Sequence, residues 1–132
     1  MTNSVINPSC WPRPKGYSNG ILTDDGLLFV AGQIGWNYSQ EIEQDDLVCQ
    51  TRHALQNILE VVKSAGGVAT DVVRLTWYLK DKKSYLSKQA EIGEVYREIF
   101  GRHFPAMSVL IVQELVEDDA LVEIEATARI GR

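Results

Sequence analysis

Leu121-Val122-Glu123-Ile124-Glu125-Ala126-Thr127-Ala128-Arg129-Ile130 is the stretch on which the reading of this chain turns. Val122, Ile124, Ala126, Ala128 and Ile130 share one parity; Glu123, Glu125, Thr127 and Arg129 share the other. Side chains on a strand alternate between faces, so this segment predicts a strand with one face in a core and one polar face. Upstream lie an acidic turn, Glu117-Asp118-Asp119, and a near-continuous apolar strand, Ala106 to Val112, entered through Phe104-Pro105. That strand is apolar at both parities: Met107, Val109 and Ile111 on one side, Leu110 and Val112 on the other.

Further back, Val72 to Lys80 is rich in β-branched and aromatic residues and predicts a strand. Asp81 to Ser84 is a turn in which Ser84 is the candidate cap of a second helix, Tyr85 to Phe100, with the stripe Tyr85, Ile92, Val95, Tyr96 and Ile99 and a stop at Gly101. Between Asp45 and Ala65 apolar residues recur at helical spacing before Gly66-Gly67, which predicts the first helix. Asp24-Asp25-Gly26 separates Gly20–Thr23 from Leu27–Ile34, a hairpin signal, and Trp36 to Gln44 reads as a loop. Residues 1–18 hold Pro8, Pro12 and Pro14 and are expected to be an extended lead-in, barred from any helix or central strand. The order β-β-α-β-α-β-β over residues 1–132 predicts one α+β domain, a mixed sheet with two helices packed on one face.

Composition narrows the function. Of 132 residues 45% are hydrophobic and 23% charged, with a net charge of −5. No basic field exists to attract a phosphate backbone or acidic membrane, and no apolar run is long enough to span a bilayer, so neither nucleic acid nor membrane is expected as a partner. The N-terminus lacks the order of a signal peptide, and a cytoplasmic protein with reduced thiols at Cys10 and Cys49 is expected. His53 and His103 are isolated, no ligand spacing is present, and no metal site is expected. Gly32-Gln33-Ile34-Gly35 does not have nucleotide-binding spacing.

Two helices cover one face of a sheet, whereas Ala106 to Val112 asks for cover on both. The chain has no spare element, so a closed homo-oligomer with pockets between subunits is expected. Glu123 and Glu125 project together from the polar face roughly 6 to 7 Å apart, a spacing that serves a general acid/base pair or an ordinary solvated strand face. Packed against a subunit, Glu123 would lose water and gain a raised pKa. Tyr17, Trp11 and Trp36 bracket the hairpin and either wall a pocket or staple a loop; Arg102, beside His103, either binds an anion or is solvated.

Tyr17 with Val30-Ala31-Gly32-Gln33-Ile34, Phe104-Pro105-Ala106 and the ending Val122-Glu123-Ile124-Glu125-Ala126-Thr127-Ala128 together resemble the RidA/YjgF family, from about Pro14 to Ile130. The resemblance implies a chorismate-mutase-like fold, a homotrimer with three inter-subunit clefts, and hydrolysis of small enamine and imine metabolites to ketoacids and ammonia without metal or organic cofactor. It implies that Tyr17 lines the cleft and that Glu123 holds the attacking water, with backbone amides near Gly32 assisting.

The carry-over is partial. Where the deaminating branch has a carboxylate-clamping arginine this chain has Met107; Ala31 replaces a serine, Val109 a cysteine and Gly93 a polar residue. A thioether cannot replace a bidentate charged pairing worth about 2 to 5 kcal/mol in a desolvated cleft. Either the substrate lacks a carboxylate there and lays an apolar part against Met107, Val109 and Trp36, or an arginine from elsewhere, Arg13 or Arg102, restores the clamp. The alternative class is a non-catalytic ligand-binding or stress-protective protein on the same scaffold. Ribonuclease activity or translation inhibition, also attached to this family, is opposed by the acidic charge.

Overall fold

Asp25-Gly26 turns the chain where the pattern predicts it: Gly26 adopts φ 98°, which an L side chain resists, and a Cβ there would collide with the Ile130 carbonyl. The turn pairs β2 (Gly20–Leu22) with β3 (Leu27–Ile34). The computed structural model describes residues 2–131. Its six-stranded sheet adds β1 (Ser4–Ile6), β4 (Val72–Leu79), β5 (Ala106–Ile111) and β6 (Val122–Arg129) in the order β1-β2-β3-β6-β4-β5. Only β4 and β5 run parallel, so the sheet is mixed.

Helix α1 (Leu47–Ser64) starts at Asp46, whose carboxylate accepts a 3.4 Å hydrogen bond from the Val48 amide. The Cys49 thiol bond, followed by backbone bonds, holds the Asp46 carboxyl below the usual carboxylate range against the opposing effect of burial. Asp46→Ala is expected to cost about 0.5–2 kcal/mol at neutral pH. A carboxyl with a lowered native pKa stabilises only while ionised, so this difference should shrink as pH falls through that pKa, which urea unfolding at pH 7 and pH 3 would reveal.

The second helix departs from expectation. Asp81, not Ser84, caps it by accepting from the Ser84 amide, and the helix is divided into α2 (Lys82–Ser87) and α3 (Gln89–Phe100) at Lys88, where ψ opens to 14°. The lead-in contains a strand that its sequence did not signal: β1 lies at the sheet edge, ahead of all three prolines, and pairs Ser4 with Leu22. The element order is therefore β-β-β-α-β-α-α-β-β.

Both long helices cover one face, as expected. Leu55, Ile58, Val61 and Val62 of α1 and Ile92, Val95 and Phe100 of α3 bury against Leu28, Leu75, Val122, Ile124 and Ala128 of the sheet. The clean alternation of β6 is preserved, its apolar parity buried and Glu123, Glu125, Thr127 and Arg129 on the other side. Strand β5 is exposed at both parities for a reason the sequence did not show: it is the edge strand. Met107, Val109 and Ile111 register with Leu75, Trp77 and Leu79 on the helix side, yet stay 38–46% exposed because they overhang the helical layer. Leu110 joins the open face beside Tyr78. That open face is mixed rather than oily, since Phe29 and Leu110 share it with Arg74, Thr76, Tyr78 and the polar parity of β6.

Candidate functional site

Glu123 stands near the start of β6, registered with Tyr78 of β4 on one side and Ile34 of β3 on the other. Glu125 follows on the same face and accepts a 3.1 Å hydrogen bond from the Tyr78 hydroxyl. Between Val30 and Gln33 the β3–β6 register shifts, a bulge in which Ala31 and Gly32 together oppose Glu125 and Gly32 lies against the Glu123 carboxyl. Gly32 leaves the space in which the Glu123 carboxyl sits: a Cβ there would overlap the carboxylate, come within 2.9 Å of its carboxyl carbon and displace it.

Buried amides hold the bulge in place. The Ala31 amide donates to the Asn19 carbonyl at 2.8 Å, and Gln33 Nε2 donates to Asn19 Oδ1 at 3.3 Å. Asn19 in turn donates from its backbone amide and its Nδ2 to Asn7 Oδ1, at 3.0 and 3.1 Å. Asn7 directly follows β1, so the edge strand that pattern analysis missed anchors the polar chain supporting the site. Asn19 and Gln33 are fully buried, and the bonds they make to each other, to Asn7 and to the Ala31 carbonyl replace lost water for every atom but Gln33 Oε1, which has no partner among the described residues.

The electrostatics single out one carboxyl. Partial burial, then the charge of Glu125, pushes Glu123 above the usual carboxylate range. Burial followed by the bond to Glu125 raises Tyr78, which keeps its proton and remains a donor. Glu123 can therefore take a proton from water at a pH where an ordinary carboxylate is a weaker base, and return it.

The candidates fall into separate groups. Glu123 and Gly32 meet on the open side, with Ala31 next to Gly32 in the bulge. Met107 and Gly93 meet on the helix side of β5, in a cavity of about 210 Å³ shared with Trp77, Tyr96, Phe104 and Arg97. Val109 is in that same parity, paired with Trp77. Trp36 is in neither: its carbonyl accepts from Asn57 Nδ2, and its ring lines a cavity of about 400 Å³ with Tyr38, His53 and Lys63 over α1. The expected apolar patch of Met107, Val109 and Trp36 is thus not assembled within one chain. Tyr17 sits on the bend before β2, 44% exposed, with no hydrogen bond to Glu123. Neither Arg13 nor Arg102 lines the Met107 cavity; Arg97 does. That arginine went unnoticed in the sequence, although its i+4 spacing from Gly93 puts the two on one helix face.

Among the described residues no three His, Cys, Asp or Glu side chains gather as metal ligands. Among the same residues no helix is long and apolar enough to cross a membrane.

Comparison with known proteins shows the family. The family model described as Endoribonuclease L-PSP matches residues 12–130. A RutC family protein of Pyrococcus horikoshii is 38% identical over 118 residues, covering 89% of this chain and 90% of the relative. A solved Rid family protein of unknown function from Yersinia pestis, YyfA, superposes with TM-score 0.84 at 31% identity, covering 98% of this chain and all of that one. The TdcF structure of E. coli with bound serine gives TM-score 0.81 at 30% identity over 97% of this chain and 99% of that one. The match runs through the hairpin, the bulge and the glutamate-bearing last strand alike, and the chain belongs to the RidA/YjgF family, whose family model carries the name Endoribonuclease L-PSP.

Proposed function

We propose that this protein hydrolyses small enamine or imine metabolites to a carbonyl product and ammonia, as a homotrimer with its sites in clefts between subunits. The observation that carries the reading is the half-buried Glu123 carboxyl, seated in a gap that only Gly32 leaves open and raised in pKa by burial and by Glu125. Water adds to the electrophilic C=N carbon as Glu123 takes its proton. Glu123 returns that proton to nitrogen, giving a carbinolamine, and then carries the carbinolamine hydroxyl proton to the same nitrogen as the C–N bond breaks, so that ammonia leaves and the carbonyl forms. An enamine enters the same route after protonation at carbon gives the imine. Tyr17 orients the nitrogen end, and backbone amides around Gly32 polarise the electrophile.

Assembly supports the cleft. Glu123 and Met107 lie on opposite parities of the sheet, so a pocket using both takes one wall from each of two copies. The exposed overhang of β5 is apolar surface that such packing covers. RNA as a substrate is disfavoured, since a net charge of −5 offers no basic groove for its phosphates.

The test is ammonia release from imines made in place by an amino-acid oxidase or dehydratase, with sedimentation of the same sample. A rate above the spontaneous one from a species about three times the chain mass is expected; the spontaneous rate alone overturns the reaction. Gly32→Ala should lower that rate about tenfold or more by displacing the Glu123 carboxylate, while thermal unfolding shifts by only a few degrees. A second reading, ligand binding without turnover, draws on the apolar character of the Met107 cavity and on the serine bound in TdcF. It requires that Glu123→Ala leave ligand affinity unchanged and that no ammonia be released.

A further inference from the structure

Tyr78 and Glu125 are joined by a bond that runs diagonally across the sheet. Tyr78 registers with Glu123 and Glu125 with Thr76, yet the Tyr78 hydroxyl donates to Glu125 Oε2 at 3.1 Å. The ring therefore starts opposite one carboxylate and ends on the other, a reach that aromatic side chains have between diagonal neighbours. Burial, then the bond to Glu125, then the charges of Glu125 and Glu123 push Tyr78 above its usual range, so its proton stays on the phenol and is committed to Glu125. The oxygen keeps its acceptor capacity and is polarised by the charge behind it. Around this pair the bulge opposite Glu125 presents Ala31 and Gly32, and β5 presents Leu110 beside Tyr78. Of the cations on the face, Lys80 donates to the Asp118 carbonyl and Arg129 lies beyond Thr127. Arg74 shares a cavity of about 170 Å³ with Glu125 but forms no ion pair with it among the described residues.

We propose that Tyr78 is a further catalytic residue: its hydroxyl oxygen accepts a hydrogen bond from the substrate N–H, while Glu125 positions it by accepting the hydroxyl proton's own bond. The assignment rests on the hydrolysis proposed above and adds to it an acceptor for the nitrogen end on the face that carries Glu123. In that reaction nitrogen gains protons and positive charge as water adds and as ammonia leaves. An acceptor backed by a carboxylate holds such a nitrogen more strongly in the transition state than in the neutral imine, which is the condition for raising kcat. Tyr78 moves no proton; Glu123 makes both transfers. The bond to Glu125 also fixes which way the phenol points, since a hydroxyl with no acceptor of its own would turn its proton toward Glu123 and its lone pairs away from the substrate.

The experiment measures kcat and KM for ammonia release from imines made in place, each variant on the plateau of its own pH profile so that the changed repulsion on Glu123 does not enter. Tyr78→Phe is expected to lower kcat about tenfold with KM little changed, as befits a contact made mainly in the transition state. Glu125→Leu should lose about as much, and Glu125→Gln, which still accepts from the hydroxyl, less. The double variant Tyr78→Phe, Glu125→Leu should lose no more than either alone, because the two act as one unit. Binding is read separately with propionamidine, a planar cation whose C–NH₂ groups stand in for the protonated imine, by calorimetry and by ¹³C NMR of ring-labelled tyrosine. Saturable shifts of the Tyr78 signals are expected, with propanamide binding about tenfold more weakly. Wild-type kcat in Tyr78→Phe, additive losses in the double variant, or no saturable shift overturns the proposal. Propionamidine binding that weakens in Tyr78→Phe, with no ammonia released from any imine, would remove the reaction and leave the contact standing. Ammonia release at the wild-type rate from Tyr78→Phe would do the reverse.

Discussion

Glu123→Gln is expected to lower ammonia release by about 10²- to 10⁴-fold, the usual contribution of a positioned general base, while making the protein more stable at neutral pH. The two effects have one cause. The Glu123 carboxyl is raised because water is partly excluded from it and Glu125 repels its charge. The folded protein therefore holds this proton more tightly than the unfolded chain does. Stability associated with Glu123 is complete below the unfolded carboxyl pKa and is lost as pH rises through the higher native value. Glutamine has no charge to bury, so its advantage should be absent near pH 3 and present as a few degrees in melting temperature at pH 7. Turnover in the wild type should climb over the same interval in which stability falls, because the base works only when ionised. Full activity of the glutamine variant, or a variant less stable at pH 7, would falsify the assignment.

Gln50→Ala should be among the most destabilising single changes available. Gln50 is buried in the first turn of α1, and its amide group has every partner it needs. Nε2 donates to the Gln44 carbonyl at 2.8 Å and to the Asp119 carbonyl at 3.0 Å; Oε1 accepts from the Leu121 amide at 2.8 Å. One side chain thus ties together the loop before α1, the turn before β6 and the residue that leads into the strand carrying Glu123. Its backbone also packs on Gly35, where a Cβ would approach Gln50 Cα to 2.6 Å. Truncation leaves these backbone groups without protein partners, at a cost of about 2–5 kcal/mol, a large part of the roughly 5–15 kcal/mol by which a domain is stable. Urea unfolding would measure it, and a change under 1 kcal/mol (roughly the net worth of one hydrogen bond) would show that water replaces the amide.

Neither Gln50 nor Asn19 and Gln33 stood out in the sequence, since a glutamine inside an amphipathic helix and amides near a turn look like surface residues. What makes them structural is the company they keep across long sequence separations. Glu123 was legible because it falls on the polar parity of a regular alternation, and Gly32 only through family resemblance; the steric reason for Gly32 is a bulge created by pairing with β6. Ser84 was misread as a cap because Asp81, a better-placed acceptor, sits just before it. Strand β1 was missed because three residues carry no period, and their extended form depends on β2 being beside them.

By itself the sequence determined the segments: which stretches alternate, which recur every three to four residues, where glycine permits a turn. Those properties are local, set by backbone geometry and by the need to bury one face. The tertiary structure alone decided the register between segments, and register assigns every side chain to a face. It put Met107 with Leu75 on the helix side and Glu123 with Tyr78 on the other, divided the candidate site between two surfaces, and brought Arg97 over Gly93 into the cavity beside Met107. Parity within a strand is visible in one segment; parity between strands exists only once they pair.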